Sequence, residues 1–181
     1  MPQLLPLRQY DEHDVVNLFS YSGTIPVNKG TFVKCAFNSG WRTDETSIEE
    51  LGAVGVSIPG IISNRWGTYA RVTAAGTGDY AIGMLLYDVK ETDENGEKLI
   101  FKRQKADEMQ VALSGQTVPI VTRGIFLWSG TINGAVTAGA VLYPSGAGDL
   151  TVNSVNQNVK LGRTLGMPNG KNHTLIYLNV L

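Results

Sequence analysis

Asp11, Glu12, His13 and Asp14 form the densest grouping of possible metal ligands in the chain, and carboxylates beside an imidazole could hold a divalent cation. A protein site needs further ligands at matching spacing, and no second cluster supplies them. The competing reading is a solvated or salt-bridging stretch in which Arg8 partners one of the acids. His173, between Asn172 and Thr174, is isolated and reads as a surface or turn residue. Nucleophilic catalysis would need a Ser or Cys served by a base, yet His13 and His173 are the only histidines, and neither a G-x-S-x-G elbow nor a recognised Cys motif occurs. Gly76-Thr77-Gly78 lacks both the Gly-Lys-Ser/Thr ending of a phosphate loop and the third glycine of a dinucleotide fingerprint, so it reads as a turn. Trp41, Trp66 and Trp128 could stack on a sugar face, although scattered aromatics in a β protein more often serve a core or an interface. Lys98, Lys102, Arg103 and Lys105 are offset by Glu91, Asp93, Glu94 and Glu97, which leaves no nucleic-acid patch. The expectation is a chain with no catalytic residue, no cofactor and no metal.

The elements that would have to position any such chemistry are strands. Residues 122–152, TRGIFLWSGTINGAVTAGAVLYPSGAGDLTV, carry two apolar β-rich runs, Ile125 to Trp128 and Ala140 to Tyr143, cut by glycine-centred turns. Asn133-Gly134 tolerates the positive φ angles of a type I′ turn, so the stretch reads as strand, turn, strand, turn, strand. It holds one acid, Asp149, and one base, Arg123, and therefore reads as scaffold. The whole chain has 21 glycines among 181 residues, well above the usual share of about 7%, which favours a turn-dense β protein. Its length fits one domain that can bury a core without metals or disulfides. A net charge of -1 creates no field for nucleic acid, and only 17% charged residues with 43% hydrophobics point to extensive contact surfaces. The lone Cys35 closes no intrachain disulfide, so a reducing cytoplasm suffices for folding. The opening residues resemble no secretory signal, and no apolar run approaches the roughly 20 residues that cross a bilayer, so no membrane partner is expected.

Pro2 and Pro6 deny the start a regular helix, and the leucines between them are poorly placed in water, so residues 1–23 read as an extended N-terminal arm ahead of a β domain over 24–181. Leu4, Leu5, Leu7, Arg8, Tyr10, Asp11, His13, Asp14, Val15, Leu18 and Phe19 are the expected interface contacts of this arm. Whether the arm docks on its own body or on a neighbour stays open, and arm exchange between copies is one form of the latter. Gly30 to Phe37 reads as a strand. Ser47-Ile48-Glu49-Glu50 matches a capping box and predicts a very short helix or an acidic loop. Pro59 places Ala53 to Ile62 at an edge or a break, and Trp66 to Thr73 is extended again. Asn95-Gly96 between IGMLLYDVKET and EKLIFKRQ predicts a protruding antiparallel hairpin near 84–104. Ala106, Met109 and Leu113 are spaced for one helical face, and Thr174 to Leu181 predicts a terminal strand inserted into the sheet. The fold class is mainly β: a single β-barrel or β-sandwich-like domain with an extended N-terminal arm and one or two short helices.

GAVTAGAVLYPSGAGDLTV, followed by KLGRTLGM and a closing LIYLNV, resembles the small head-decoration, or capsid-stabilising cement, proteins of tailed bacteriophages. LPLRQYDEHDVVNLFSYSG and the DENGEK turn are similar to segments of phage proteins that coat the head. The resemblance implies a β-barrel-like module, with an arm, that attaches to the outside of the expanded capsid and rivets adjacent major capsid proteins. It implies a homotrimer or dimer, assembly in the host cytoplasm and no catalytic residue. On that expectation, deleting residues 1 to 20 abolishes capsid attachment. The alternatives are another virion position, at the head-tail junction or in the tail, and a carbohydrate-binding β-sandwich that uses exposed Trp and Tyr.

Overall fold

A computed structural model describes residues 3–6, 14–37, 48–50, 66–68 and 70–180, of which 3–6, 48–50 and 66–68 are described as strand backbone. Among the described residues the structure is mainly β, with 44% in strands and 7% helical. In chain order the strands begin with β1 (Gln3–Pro6), β2 (Val15–Tyr21), β3 (Phe32–Cys35), β4 (Ile48–Glu50), β5 (Trp66–Thr68), β6 (Arg71–Ala74), β7 (Ala81–Leu85) and β8 (Asp88–Val89). A 3-10 turn (Leu99–Phe101) and the helix α1 (Arg103–Glu108) follow. Then come β9 (Val111–Ala112), β10 (Thr117–Val121), β11 (Arg123–Ser129), β12 (Ile132–Asn133), β13 (Val141–Ser145), β14 (Asp149–Thr151), β15 (Gly162–Thr164) and β16 (His173–Asn179).

Five of these strands close a barrel in the order β10-β2-β6-β3-β7, and a seven-stranded sheet runs β1-β11-β16-β15-β13-β14-β12. The staves β3, β7 and β10 bury apolar residues on both faces, so their sequences read as apolar runs rather than as clean alternation. Val33, Leu85 and Ile120 pack inside the barrel with Val72 and Val118. Their chain neighbours Phe32, Met84 and Val121 point the other way, as the pleat requires, and meet Phe126, Trp128, Leu142, Leu150, Ile176 and Leu178 of the sheet. The register agrees: Met84 lies opposite both Phe32 and Val121, and Leu85 lies opposite Ile120. Three staves thus serve two cores, one enclosed by the barrel and one sandwiched between barrel and sheet. Each fully buried Leu, Ile or Phe contributes about 1.5–3 kcal/mol, so this shared core is the main source of stability.

Polar bonds fix the two layers to each other. The indole Nε1 of Trp128, itself fully buried, donates to the Gly30 carbonyl at 3.1 Å. The turn between β13 and β14 reaches the barrel, where Phe32 donates its amide to Gly148 O at 3.0 Å and Gly148 donates to Ala75 O at 2.9 Å. Gly148 has φ +85°, and a Cβ there would overlap Thr31 Cγ2 and lie 2.9 Å from Phe32 O, so only glycine fits this close approach.

The terminal strand does insert into the sheet, with β16 between β11 and β15. The three strands expected in 122–152 are present as β11, β13 and β14, but β11 and β13 are not partners: β16 and β15 lie between them. Asn133-Gly134 accordingly closes no hairpin, and Asn133 instead ends β12, which runs parallel to β14. The short helix expected at Ser47–Glu50 is a strand over Ile48–Glu50, paired antiparallel with Trp66–Thr68. The long hairpin near 84–104 is also revised. Its turn exists, with Gly96 at φ +79° and Asp93 exchanging backbone bonds with Gly96 and Glu97, but the ladder is a single bridge, Thr92 to Lys98. Leu85 and Met84 pair with β10 instead, and Leu99 onward turns helical so that Leu99, Ala106, Val111 and Leu113 can bury one another. Helix α1 ends at Glu108, so Leu113 reaches that cluster from beyond β9 rather than from a helical face.

Candidate functional site

The segment 1–23 is divided by the structure. Val15–Tyr21, expected in the arm, is a stave of the barrel, antiparallel to β10 and parallel to β6. Phe19 is buried in the barrel core, Val16 packs against it, and Val15 packs against the core shared with the sheet. These side chains are consumed by their own chain because a barrel has no edge at which such a stave could be omitted. Opposite Pro119, β2 carries a bulge, since Phe19 faces Val118 and Val16 faces Ile120 with two residues between them. Proline cannot donate to the ladder, and the bulge turns Leu18 outward to 46% exposure. Asp14 uses its carbonyl to accept from the Thr122 amide at 2.8 Å and the Thr122 hydroxyl at 3.1 Å. The backbone of Leu4 and Leu5 lies in β1, opposite Trp128 and Leu127 of β11. Leu7, Arg8, Tyr10, Asp11 and His13 fall outside the described residues.

Among the described residues no three His, Cys, Asp or Glu side chains gather as a metal site. His173 opens β16, its amide donating to Asn169 Oδ1 at 2.9 Å. Cys35 is exposed at the end of β3, and desolvation pushes its thiol above the ordinary 9.0, the reverse of what a reactive thiolate needs. The glycine pair at 76–78 forms a turn capped by Asp79, whose Oδ2 accepts from the Gly76 amide at 2.6 Å and pairs with Lys34 Nζ at 2.7 Å. Burial opposes ionisation of Asp79, but Lys34 and the Gly76 amide outweigh it and hold the carboxyl below its ordinary range. Of the three tryptophans, Trp128 is in the core, and the side chains of Trp41 and Trp66 fall outside the described residues.

Two polar constructions stand out. In the first, Asp93 is buried within the 93–97 turn, accepts from the Asn95 and Glu97 amides at 2.9 and 2.8 Å, and pairs with Lys105 of α1. The Lys105 ammonium, seconded by those amides, holds the Asp93 carboxyl down at about 2. The group is structural: it ties the turn to the helix.

The second is a cleft of about 550 Å³ between the 23–28 loop, the ends of β2 and β6, and the turn that carries Gly148. Tyr21, Thr24, Asn28, Thr31, Thr73 and Asp149 are among the residues that line it. Burial pushes the Tyr21 phenol above its ordinary 10.0, so it is a neutral hydroxyl at neutral pH. No hydrogen bond or ion pair among the described residues engages the Asp149 carboxylate. Asp149 was visible as the lone acid of a glycine-rich run, yet only the docking of its turn onto the barrel gives it walls. Compared with known proteins, the chain matches no family model, no curated protein and no solved structure.

Proposed function

We propose that the chain is a non-catalytic capsid decoration protein of a tailed bacteriophage, binding the outside of the head and stabilising contacts between major capsid proteins. The observation that carries this reading is the position of β1 at the outer edge of the seven-stranded sheet. An edge strand offers one row of unpaired backbone groups, a ready surface for strand addition by a partner chain. Low charge, the rigid double core and the sequence resemblance support the same reading. The protein then acts as a homo-oligomer, a trimer in preference to a dimer, on the virion surface after assembly in the host cytoplasm.

The test is co-sedimentation with phage heads alongside the solution mass by light scattering. A discrete trimer or dimer that pellets with heads is expected, and a monomer left in the supernatant would refute the proposal. Deleting residues 1 to 20 is a poor probe, because it removes β2 and with it the barrel. Removing residues 2–6 spares the barrel, and head binding is then expected to fall while the body stays folded.

A further inference from the structure

The seven-stranded sheet buries one face against the barrel and turns the other outward. Its register puts Ile125 opposite Tyr177, Leu127 opposite Leu175, and Tyr177 opposite Arg163. Directly opposed residues share a face, so Ile125, Leu127, Leu175 and Tyr177 make one continuous patch, alternating with the inward Phe126, Trp128, Thr174 and Ile176. All four patch residues are part-exposed. Arg163 adjoins Tyr177, and Arg123 stands two residues before Ile125 on the same face. Both arginines are exposed, and no ion pair among the described residues engages either. The remaining positions of the β11–β16 register on this face are Ser129, His173 and Asn179, so these strands bring no carboxylate to it.

An apolar patch flanked by two exposed guanidinium groups, neither ion-paired among the described residues, states what it complements. A second copy placed face to face about a two-fold axis would set this cationic surface against itself, a like-charge arrangement that disfavours binding. We infer that the outer face of this sheet docks a different protein, one presenting apolar side chains bordered by carboxylates. Guanidinium suits that role because its planar fork pairs a carboxylate through two parallel hydrogen bonds. The inference rests on the decoration reading, under which the surface belongs to the major capsid protein. It also extends the edge contact, since β1 pairs with β11 and the edge and face are therefore continuous.

The experiment is quantitative co-sedimentation of the full chain with heads, at low and at high salt. It compares the native protein with the double variant Arg123→Glu/Arg163→Glu and the charge-keeping Arg123→Lys/Arg163→Lys. Both positions are exposed, so unchanged thermal unfolding serves as the folding control. The expected result is native binding that weakens with salt, a loss of about tenfold or more in the glutamate variant, and a smaller loss in the lysine variant, which keeps the charge but not the two-bond fork. Native binding with an unaltered glutamate variant overturns this inference and leaves the decoration reading standing. Failure of the native protein to bind heads overturns both. A dimer of the native protein that the glutamate variant disrupts would assign the face to a second copy and overturn the partner named here.

Discussion

The core shared by barrel and sheet and the satellite unit over residues 90–113 solve the same problem with different forces. In the shared core, Phe32, Met84 and Val121 meet Phe126, Trp128 and Ile176 with almost no ionisable group present, so its stability depends on volume and fit. In the satellite, four apolar residues, Leu99, Ala106, Val111 and Leu113, form too small a cluster to hold a six-residue helix by themselves. The Asp93–Lys105 pair and the amide bonds to Asp93 complete it. The difference teaches that the shared core should be indifferent to pH and salt while the satellite responds to both.

The largest expected effect lies where the two layers touch. Gly148→Ala forces a side chain into a left-handed conformation and against Thr31 and Phe32, and should cost about 3 kcal/mol or more, read as a lower denaturant midpoint. Trp128→Phe removes the bond to Gly30 and part of a fully buried ring, and should cost about 1–3 kcal/mol by the same measurement. Leu99→Ala, also fully buried, should cost about 2 kcal/mol, but locally: amide exchange is expected to accelerate in α1 and β9 while the sheet keeps its protection. A uniform loss of protection would erase the distinction drawn between the two regions.

The smallest effect tests the ionic side of the comparison. The Asp93 pKa is lowered from 3.8 to about 2, so its contribution is present above pH 4 and is lost as pH falls through 2. Lys105 is raised above 10.5, so the same pair is intact below that value and weakens as pH rises through the folded one. Exchange protection of α1 should therefore fall between pH 4 and 2, and Asp93→Asn should remove that pH dependence. The same fall in the Asn variant would mean another group is responsible.

Much of the architecture was legible in the chain. β-branched and aromatic runs between glycine turns announce strands, and β3, β11, β13, β14 and β16 lie where those runs are. The errors share one cause. Asn133-Gly134 has hairpin chemistry and Ser47 to Glu50 has capping chemistry, yet neither signal states which strand lies alongside in space. The 84–104 hairpin was overextended for the same reason, because β10 offered Met84 and Leu85 a better-buried partner than the local return strand. The candidate contacts in the first 23 residues divided by the same logic, with Val15 and Phe19 drawn into their own cores.

The sequence by itself determined that this protein is built largely of strands, with apolar β-rich runs separated by glycine-centred turns. Those are properties of composition and local periodicity, set by side-chain hydrophobicity and backbone preference. Tertiary structure alone decided which strands pair, that β3, β7 and β10 face two cores, that Asp149 lines a cleft, and that Arg123 and Arg163 flank one apolar face. These follow from hydrogen bonds and packing between residues far apart in the chain, and a local pattern carries no record of its distant partner.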